Sequence, residues 1–427
     1  MTETTFPTSS RARGGGLAVA AALAAANLLG YGFNLVASRR LGPAGYGAVA
    51  ALLGLVLIGN VIALALQAVV ARRAVRARQD AGAGSAMVTG WANQLAWRAG
   101  AGLLALGMLA SPLVAAWLHL DSPVGAVAVA VTLLPLTLIG AQLGVLQGAE
   151  RFHRLAVLYA VAGLGKVGGG VVGVAALGSV SGAMVGTALG AGLAAVVGHQ
   201  LVTRRAGAPT GERNAHAAGA AREVVHAAYA LGALFALSNV DVVLARHYLS
   251  AHDAGLYAVG AVVAKGCFWL PSFVPVMALP GLADPRRRRA TAIRAFAVVV
   301  VSAATLTVGT YAFGSLVVRM IGGSAYTELG DRVWLFAAAG SLLAVAQVLL
   351  YSRLATEDRR AIAPMWAVVV IEAGVIALWR HGSPSQVVTV VVCSALSLAV
   401  AGAFVEATEH GQWLRFTPRS RRAMGRD

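Results

Sequence analysis

Of the 34 basic residues in this chain, 32 are arginines, and the only lysines are Lys166 and Lys265. Both fall inside long apolar stretches, where a charge costs roughly 2.5 to 3.5 kcal/mol on insertion scales. A lysine escapes that cost by snorkelling to an interface. About a dozen apolar-stretch residues flank Lys166 on either side, roughly 17 Å at 1.5 Å per residue, which is a long reach. The chemistry open to such a cation is to hold an anion in a polar interior. Two carboxylates stand in comparable places: Asp241, five residues before Arg246, and Glu372, eight residues before Arg380. Unpaired charge is costly there, so each needs a cation, and two readings are open. Either Asp241 and Glu372 share a Na⁺ or H⁺, or Asp241 neutralises Lys265 in a static buried pair.

Other patterns suggest chemistry that their context withdraws. Gly163, Gly165 and Gly168 match a GxGxxG dinucleotide fingerprint, and Gly165-Lys166 hints at a phosphate loop. No strand precedes these glycines, and no Ser or Thr follows Lys166. Small residues recur instead at four-residue spacing, at Gly165, Gly169 and Gly173 and then at Gly178, Gly182, Gly186 and Gly190. Such faces let backbones approach closely, which predicts tight packing of the fifth apolar stretch on the sixth. The nine histidines show no HExxH or other ligand spacing, so no metal or other cofactor is expected. Cys267 and Cys393 both lie in apolar stretches, which leaves no disulfide framework or CxxC site and predicts inert packing.

The elements that position these residues are membrane helices. The 427 residues are 58% apolar and 12% charged, against roughly 25% charged in an average globular protein. Mean hydropathy is +0.74, which excludes an ordinary cytosolic enzyme. Apolar stretches fall at 17–38, 44–70, 92–117, 124–147, 155–177 and 179–202, and again at 223–248, 254–281, 291–318, 329–352, 361–379 and 386–406. They are too long for core strands and long enough to span a bilayer. The predicted fold is an all-α integral membrane protein of twelve transmembrane helices. Two six-helix lobes, 17–203 and 222–407, are joined by a polar linker at 204–221 and flanked by tails at 1–16 and 408–427.

The formal net charge of +17 would suggest nucleic acid in a soluble protein. Here the basic residues sit in short clusters between apolar stretches, without the interleaved aromatics of a strand-binding surface, so no nucleic acid partner is expected. One alternate set of loops and tails carries 25 Lys and Arg, whereas the other carries six: Arg39, Arg40, Arg246, Arg319, Arg332 and Arg380. The positive-inside rule then puts both termini in the cytoplasm of a multi-pass protein of the cell membrane. The run Arg286 to Arg289 reads as an anchor touching anionic lipid.

A repeat underlies the pattern. FNLVASRRLGPAGYGAVAALLG closes the first stretch and VDVVLARHYLSAHDAGLYAVGAVVAKG the seventh, at an offset of 207 residues. In each, a polar residue precedes an arginine by five positions (Asn34 and Arg39, Asp241 and Arg246). A leucine follows, then a tight turn with Gly45-Tyr46 or Gly255-Leu256-Tyr257, then a new apolar helix. Six helices per half is an even number, so the halves are expected to be parallel repeats about an axis along the membrane normal.

With ASRRLGPAGYGAVA (37–50), VLQGAERFHRLA (145–156), SNVDVVLARHYLSAHDAGLYAVGAVVAK (238–265) and RMIGGSAYTELGDRVWLFAAAG (319–340), the chain resembles a known superfamily over nearly its whole length. It is that of the multidrug, oligosaccharidyl-lipid and polysaccharide exporters, and the likeness is to the polysaccharide biosynthesis branch, which flips lipid-linked oligosaccharides. The resemblance implies a transporter rather than an enzyme, with two lobes around a cavity that opens alternately to either side. It implies an anionic polyprenyl-diphosphate-linked glycan as substrate, with Lys265 and Lys166 holding the diphosphate. Arg39 and Arg40 would lie on the exit side of the anion path or, equally, anchor the interface. Some relatives place a sodium site among helices 7, 11 and 12, which implies Asp241, Glu372 and an oxygen of Thr389 as the Na⁺ or H⁺ coupling group. The expected state is a monomer, associated with glycan polymerase machinery and with anionic lipids at its cytoplasmic arginine clusters. Two rival readings differ in chemistry. A cation-coupled multidrug exporter of the same superfamily would favour carboxylates and aromatics over lysines, and a membrane-embedded glycan-assembly enzyme would need polar catalytic loops absent here.

The 25 to 6 split of basic residues predicts a labelling pattern. Cysteines introduced at Ser122 and Ser383 react with an impermeant reagent from outside the cell, and cysteines at Gly82 and Thr210 do not. The reverse pattern overturns the orientation.

Overall fold

The computed structural model describes residues 10–79, 85–203, 213–270, 288–354 and 362–413, and the regular structure among them is helical. The helices are α1 Ser10–Gly59, α2 Val61–Gln79, α3 Ser85–Trp117, α4 Val124–Gly148, α5 Phe152–Leu177, α6 Val180–Thr203 and α7 Arg213–Leu237. They continue as α8 Val240–Tyr248, α9 Ala251–Trp269, α10 Arg288–Ile321, α11 Val333–Leu354, α12 Ile362–Leu378 and α13 Pro384–Trp413, with a 3₁₀ segment at Ser324–Leu329. Among the described residues eight helical stretches are long and apolar enough to cross a membrane. Leu109, Leu113, Val172 and Val301 turn their side chains outward, as a lipid-facing surface requires. The chain is a multi-pass membrane protein.

Several boundaries differ from those read in sequence. The first and second apolar stretches are one helical run bent at Gly42, whose φ of 64° and ψ of −178° suit glycine and the extended conformation imposed by the following Pro43. The seventh stretch is not one helix: it breaks at Ser238 and Asn239 into α7 and α8. The polar stretch at 204–221 is helical from Arg213, because NAHAAGAA is rich in alanine, the best helix former. At the other end α13 runs on to Trp413, into the segment taken as a tail. Residues 1–9, 204–212 and 414–427, and Arg286 and Arg287 of the arginine run, lie outside the described residues.

The chain clusters into two compact units. One comprises Met1–Val262, Val318–Glu328 and His381–Pro384, and the other Val263–Val317, Leu329–Arg380 and Ser385–Asp427. In the first, α4 is buried nearly all round and packs on α2, α3 and α6. Glycines set the spacing. Gly140, Gly144 and Gly148 of α4 press on the carbonyls of Ala63, Gln67 and Ala71 of α2. Gly165, Gly169 and Gly173 of α5 lie against Gly190, Gly186 and Gly182 of α6, so the predicted packing of these stretches is correct. In the second unit Gly340 of α11 meets the Ala264 carbonyl of α9, and Tyr311 of α10 packs edge-on against Trp334 at 6.1 Å.

A side chain at Gly186 would collide with the Gly169 backbone, whereas a methyl at Gly168 would meet open space. Gly186→Val is therefore expected to cost about 1 to 3 kcal/mol through overpacking, and Gly168→Ala to be neutral or slightly stabilising. Thermal unfolding in detergent measures both, and equal effects would remove the close-contact account.

Candidate functional site

The repeated turns of the first unit are built alike. The Tyr46 hydroxyl donates to Asn34 Oδ1 at 2.9 Å, and the Tyr257 hydroxyl donates to Asp241 Oδ2 at 2.7 Å. In each turn the tyrosine of the returning helix reaches back to the polar residue before the arginine. Both rings are fully buried, and Asp241 is 8% exposed. The two turns also touch: a side-chain atom on Gly47 would meet the backbone of Ala254 and Gly255, and one on Gly255 would strike Pro43. Sequence reading marked both tyrosines as turn residues but missed their hydrogen bonds. The signal available was their recurrence at the same place in the repeat.

The arginines of these turns serve backbone. Arg246 is 8% exposed and donates to three carbonyls: Leu118 through Nε (3.0 Å), His119 through Nη2 (3.2 Å) and Ala44 through Nη1 (3.3 Å). Leu118 and His119 end α3, where His119 takes the left-handed conformation (φ 50°) that usually selects glycine. Ala44 lies just past the Gly42 bend. Arg39, expected on an anion path or at the interface, donates through Nη2 to the Met320 carbonyl (2.9 Å), and Ser38 donates to Ile321 (3.1 Å). These are the orphan carbonyls at the end of α10. The Tyr326 hydroxyl then donates to the Ser38 carbonyl at 3.1 Å, and burial raises its pKa above the ordinary phenol value, so it stays protonated. Arg40 is exposed.

Lys166 is half-buried on α5, on the face that carries Gly163 three residues before it and Gly170 four after. Those glycines touch Ala26 and Phe33 of α1. Lys265 belongs to the second unit, is half-buried on α9 and follows Ala264, which contacts α11.

The second unit brings two of the predicted coupling residues together. Glu372 of α12, fully buried, and Thr389 of α13 line one cavity of about 620 Å³, with Arg380, Ser394 and Ser397. The Thr389 hydroxyl donates to the Ser385 carbonyl at 2.7 Å and keeps its lone pairs for a further partner. Cys393, expected to be packed and inert, is instead exposed and lines this cavity. Asp241 lies in the other unit. The cavity therefore gathers a carboxylate, several hydroxyls and the guanidinium of Arg380.

No protein-family model matches the sequence, and no curated protein sequence does. Solved structures match in fold. An inward-facing multidrug resistance MATE family transporter of the MOP superfamily aligns over 92% of this chain and 96% of its own, with a TM-score of 0.69 at 12% identity. The lipid II flippase MurJ, in an inward closed conformation, aligns over 91% and 87%, also at 0.69 and 12% identity. The fold is that of the MOP transporters. An outward-facing MATE transporter matches over 93% of this chain and 94% of its own, with a TM-score of 0.56 at 12% identity. That likeness leaves the substrate open, because one fold hosts several functions.

Replacing Arg246 by Met removes its bonds to three carbonyls, of which that of the fully buried Leu118 is the costly one to orphan, at about 1 to 3 kcal/mol. Arg246→Met is expected to lower the melting temperature of the purified protein far more than Arg40→Met does. Equal effects would show that the guanidinium caps nothing of consequence.

Proposed function

We propose that this protein is a flippase that moves a polyprenyl-diphosphate-linked oligosaccharide from the inner to the outer leaflet of the cytoplasmic membrane, by alternating access, for cell-surface polysaccharide synthesis. The observation that carries the reading is the placement of the chain's only two lysines within apolar helices, Lys166 on α5 and Lys265 on α9. A diphosphate is held by charge and must also be released, and half-buried lysines suit that better than a closed cage of arginine forks. The fold likeness is equal toward a multidrug exporter and a lipid II flippase, at TM-scores of 0.69 each, so side-chain chemistry chooses between them. Cationic drugs call for carboxylates and aromatics, whereas a lipid diphosphate calls for these lysines.

Coupling falls to the carboxylates. Glu372 and Thr389 share a cavity, and Asp241 is held by Tyr257 with one oxygen turned to it. A Na⁺ or H⁺ taken up at either carboxylate biases the transporter between its states by its differential affinity for them. At the end of α2, Arg73 pairs with Glu223 at 2.8 Å and Arg78 with Glu150 at 3.2 Å, while Arg72 and Arg76 are exposed and available to anionic lipid headgroups.

Transport in proteoliposomes or glycan export in cells tests the reading. Lys166→Ala and Lys265→Ala each reduce export about tenfold or more while the protein remains inserted, and arginine at either site restores part of it, since charge-assisted bonds are worth ~1.5 to 3 kcal/mol. In the same assay Asp241→Asn and Glu372→Gln weaken dependence on a Na⁺ or pH gradient. Normal export by the alanine variants overturns the anion-binding role, and unchanged gradient dependence overturns the coupling role.

A further inference from the structure

Between α2, α4 and α5 lies a polar network that capping does not explain. The Gln67 side-chain amide donates to Gln147 Oε1 at 3.0 Å and to the Tyr159 hydroxyl oxygen at 2.6 Å. Gln67 and Tyr159 are half-buried and Gln147 is exposed. Interhelical bonds of this kind hold helices together in a membrane. This network, however, leaves over more than it uses. Among the described residues, the Tyr159 hydroxyl proton, both Gln147 amide protons and the Gln67 carbonyl oxygen have no protein partner.

The array is held in place by packing. Gly144 of α4 presses on the Gln67 backbone, and Leu158, beside Tyr159, is fully buried. Rigidly held donors and an acceptor beside one another match neighbouring sugar hydroxyls, each of which both donates and accepts. A ligand lacking such groups would leave them unpaired at a cost. Seven residues along α5 from Tyr159, on the same face and about 10 Å further on, lies Lys166. With α5 entering from the cytoplasm, as its position in the chain predicts, the network lies on the loading side of that lysine.

We infer that Gln67, Gln147 and Tyr159 form a sugar-binding subsite for the first sugars of a glycan whose lipid diphosphate meets Lys166. The inference rests on the flippase reading and names the part of the substrate that these residues take. Lys166 supplies charge without distinguishing one anion from another, and the network supplies the discrimination: a prenyl diphosphate without its glycan satisfies the lysine but leaves the three polar side chains unmet.

Two probes separate these roles: farnesyl diphosphate, and farnesyl diphosphate carrying chitobiose. Their affinities for the full-length protein in detergent are read from intrinsic tryptophan fluorescence. The parent is expected to bind the glycosylated probe about tenfold more tightly, the yield of one or two neutral hydrogen bonds. Tyr159→Phe and Gln147→Ala each bring that ratio toward one while leaving the affinity for bare farnesyl diphosphate unchanged. Lys166→Met weakens both probes alike and preserves the ratio. Gln147 is exposed, so its truncation does not disturb packing. Equal affinity of the parent for the two probes overturns the sugar subsite and leaves the flippase reading standing, whereas binding of neither probe overturns both. Variants at Gln147 and Tyr159 that keep the tenfold preference, or that weaken both probes alike, show that the network only ties helices together.

Discussion

Hydrocarbon offers no hydrogen bonds to a bent or terminated helix, so each carbonyl released by a bend must be answered from within the protein. The polar side chains of the repeated turns are spent largely on that demand. One guanidinium, Arg246, answers the carbonyls of Leu118 and His119 just past the end of α3 and also reaches that of Ala44 beyond the Gly42 bend. The end of α10 frees Met320 and Ile321, which Arg39 and Ser38 take, and Tyr326 answers Ser38 in turn. Arginine suits this role because its fork carries five donors in a fixed plane.

The same medium removes the hydrophobic force between helices, since lipid tails are as apolar as leucine. Close backbone contact takes its place. Glycine ladders between α2 and α4 and between α5 and α6, and the crossing of Gly47 with Gly255, give the first unit its internal rigidity. Rigid helices are what allow a few polar groups to be held off the interface. The α4–α2 ladder positions Gln67 beside Gln147 and Tyr159, and the α5–α6 ladder fixes the helix that carries Lys166.

Beyond capping and packing, the polar groups described above fall into chemically distinct sets. Lys166 and Lys265 are half-buried cations, Glu372 and Thr389 bring a carboxylate and a hydroxyl to one cavity, and the Gln67 network carries amides and a phenol. Asp241 stands between roles: its Tyr257 bond stabilises the turn and also orients a carboxylate that closure of the backbone does not require.

Much of this was legible in sequence. Apolar length, the four-residue glycine period and the 207-residue repeat are local properties of the chain, and each has one physical reading in a bilayer. Glu372 stands out in sequence as a carboxylate within an apolar stretch and Thr389 follows from the family likeness, and the two line one cavity. What sequence did not reveal depends on contacts between distant residues. Arg246 looked like any other loop arginine, because the carbonyls that it answers lie 127 to 202 residues away. The break at Ser238 and Asn239 escaped a hydropathy reading because the residues around it are as apolar as an unbroken helix. Asp241 was weighed against Lys265 and a cation, while its hydrogen bond to Tyr257 went unseen. Charge and hydrophobicity are summed along the chain and so are written in it. A hydrogen bond forms only where two backbones bring a donor and an acceptor within 3 Å or so, and tertiary packing alone decides that.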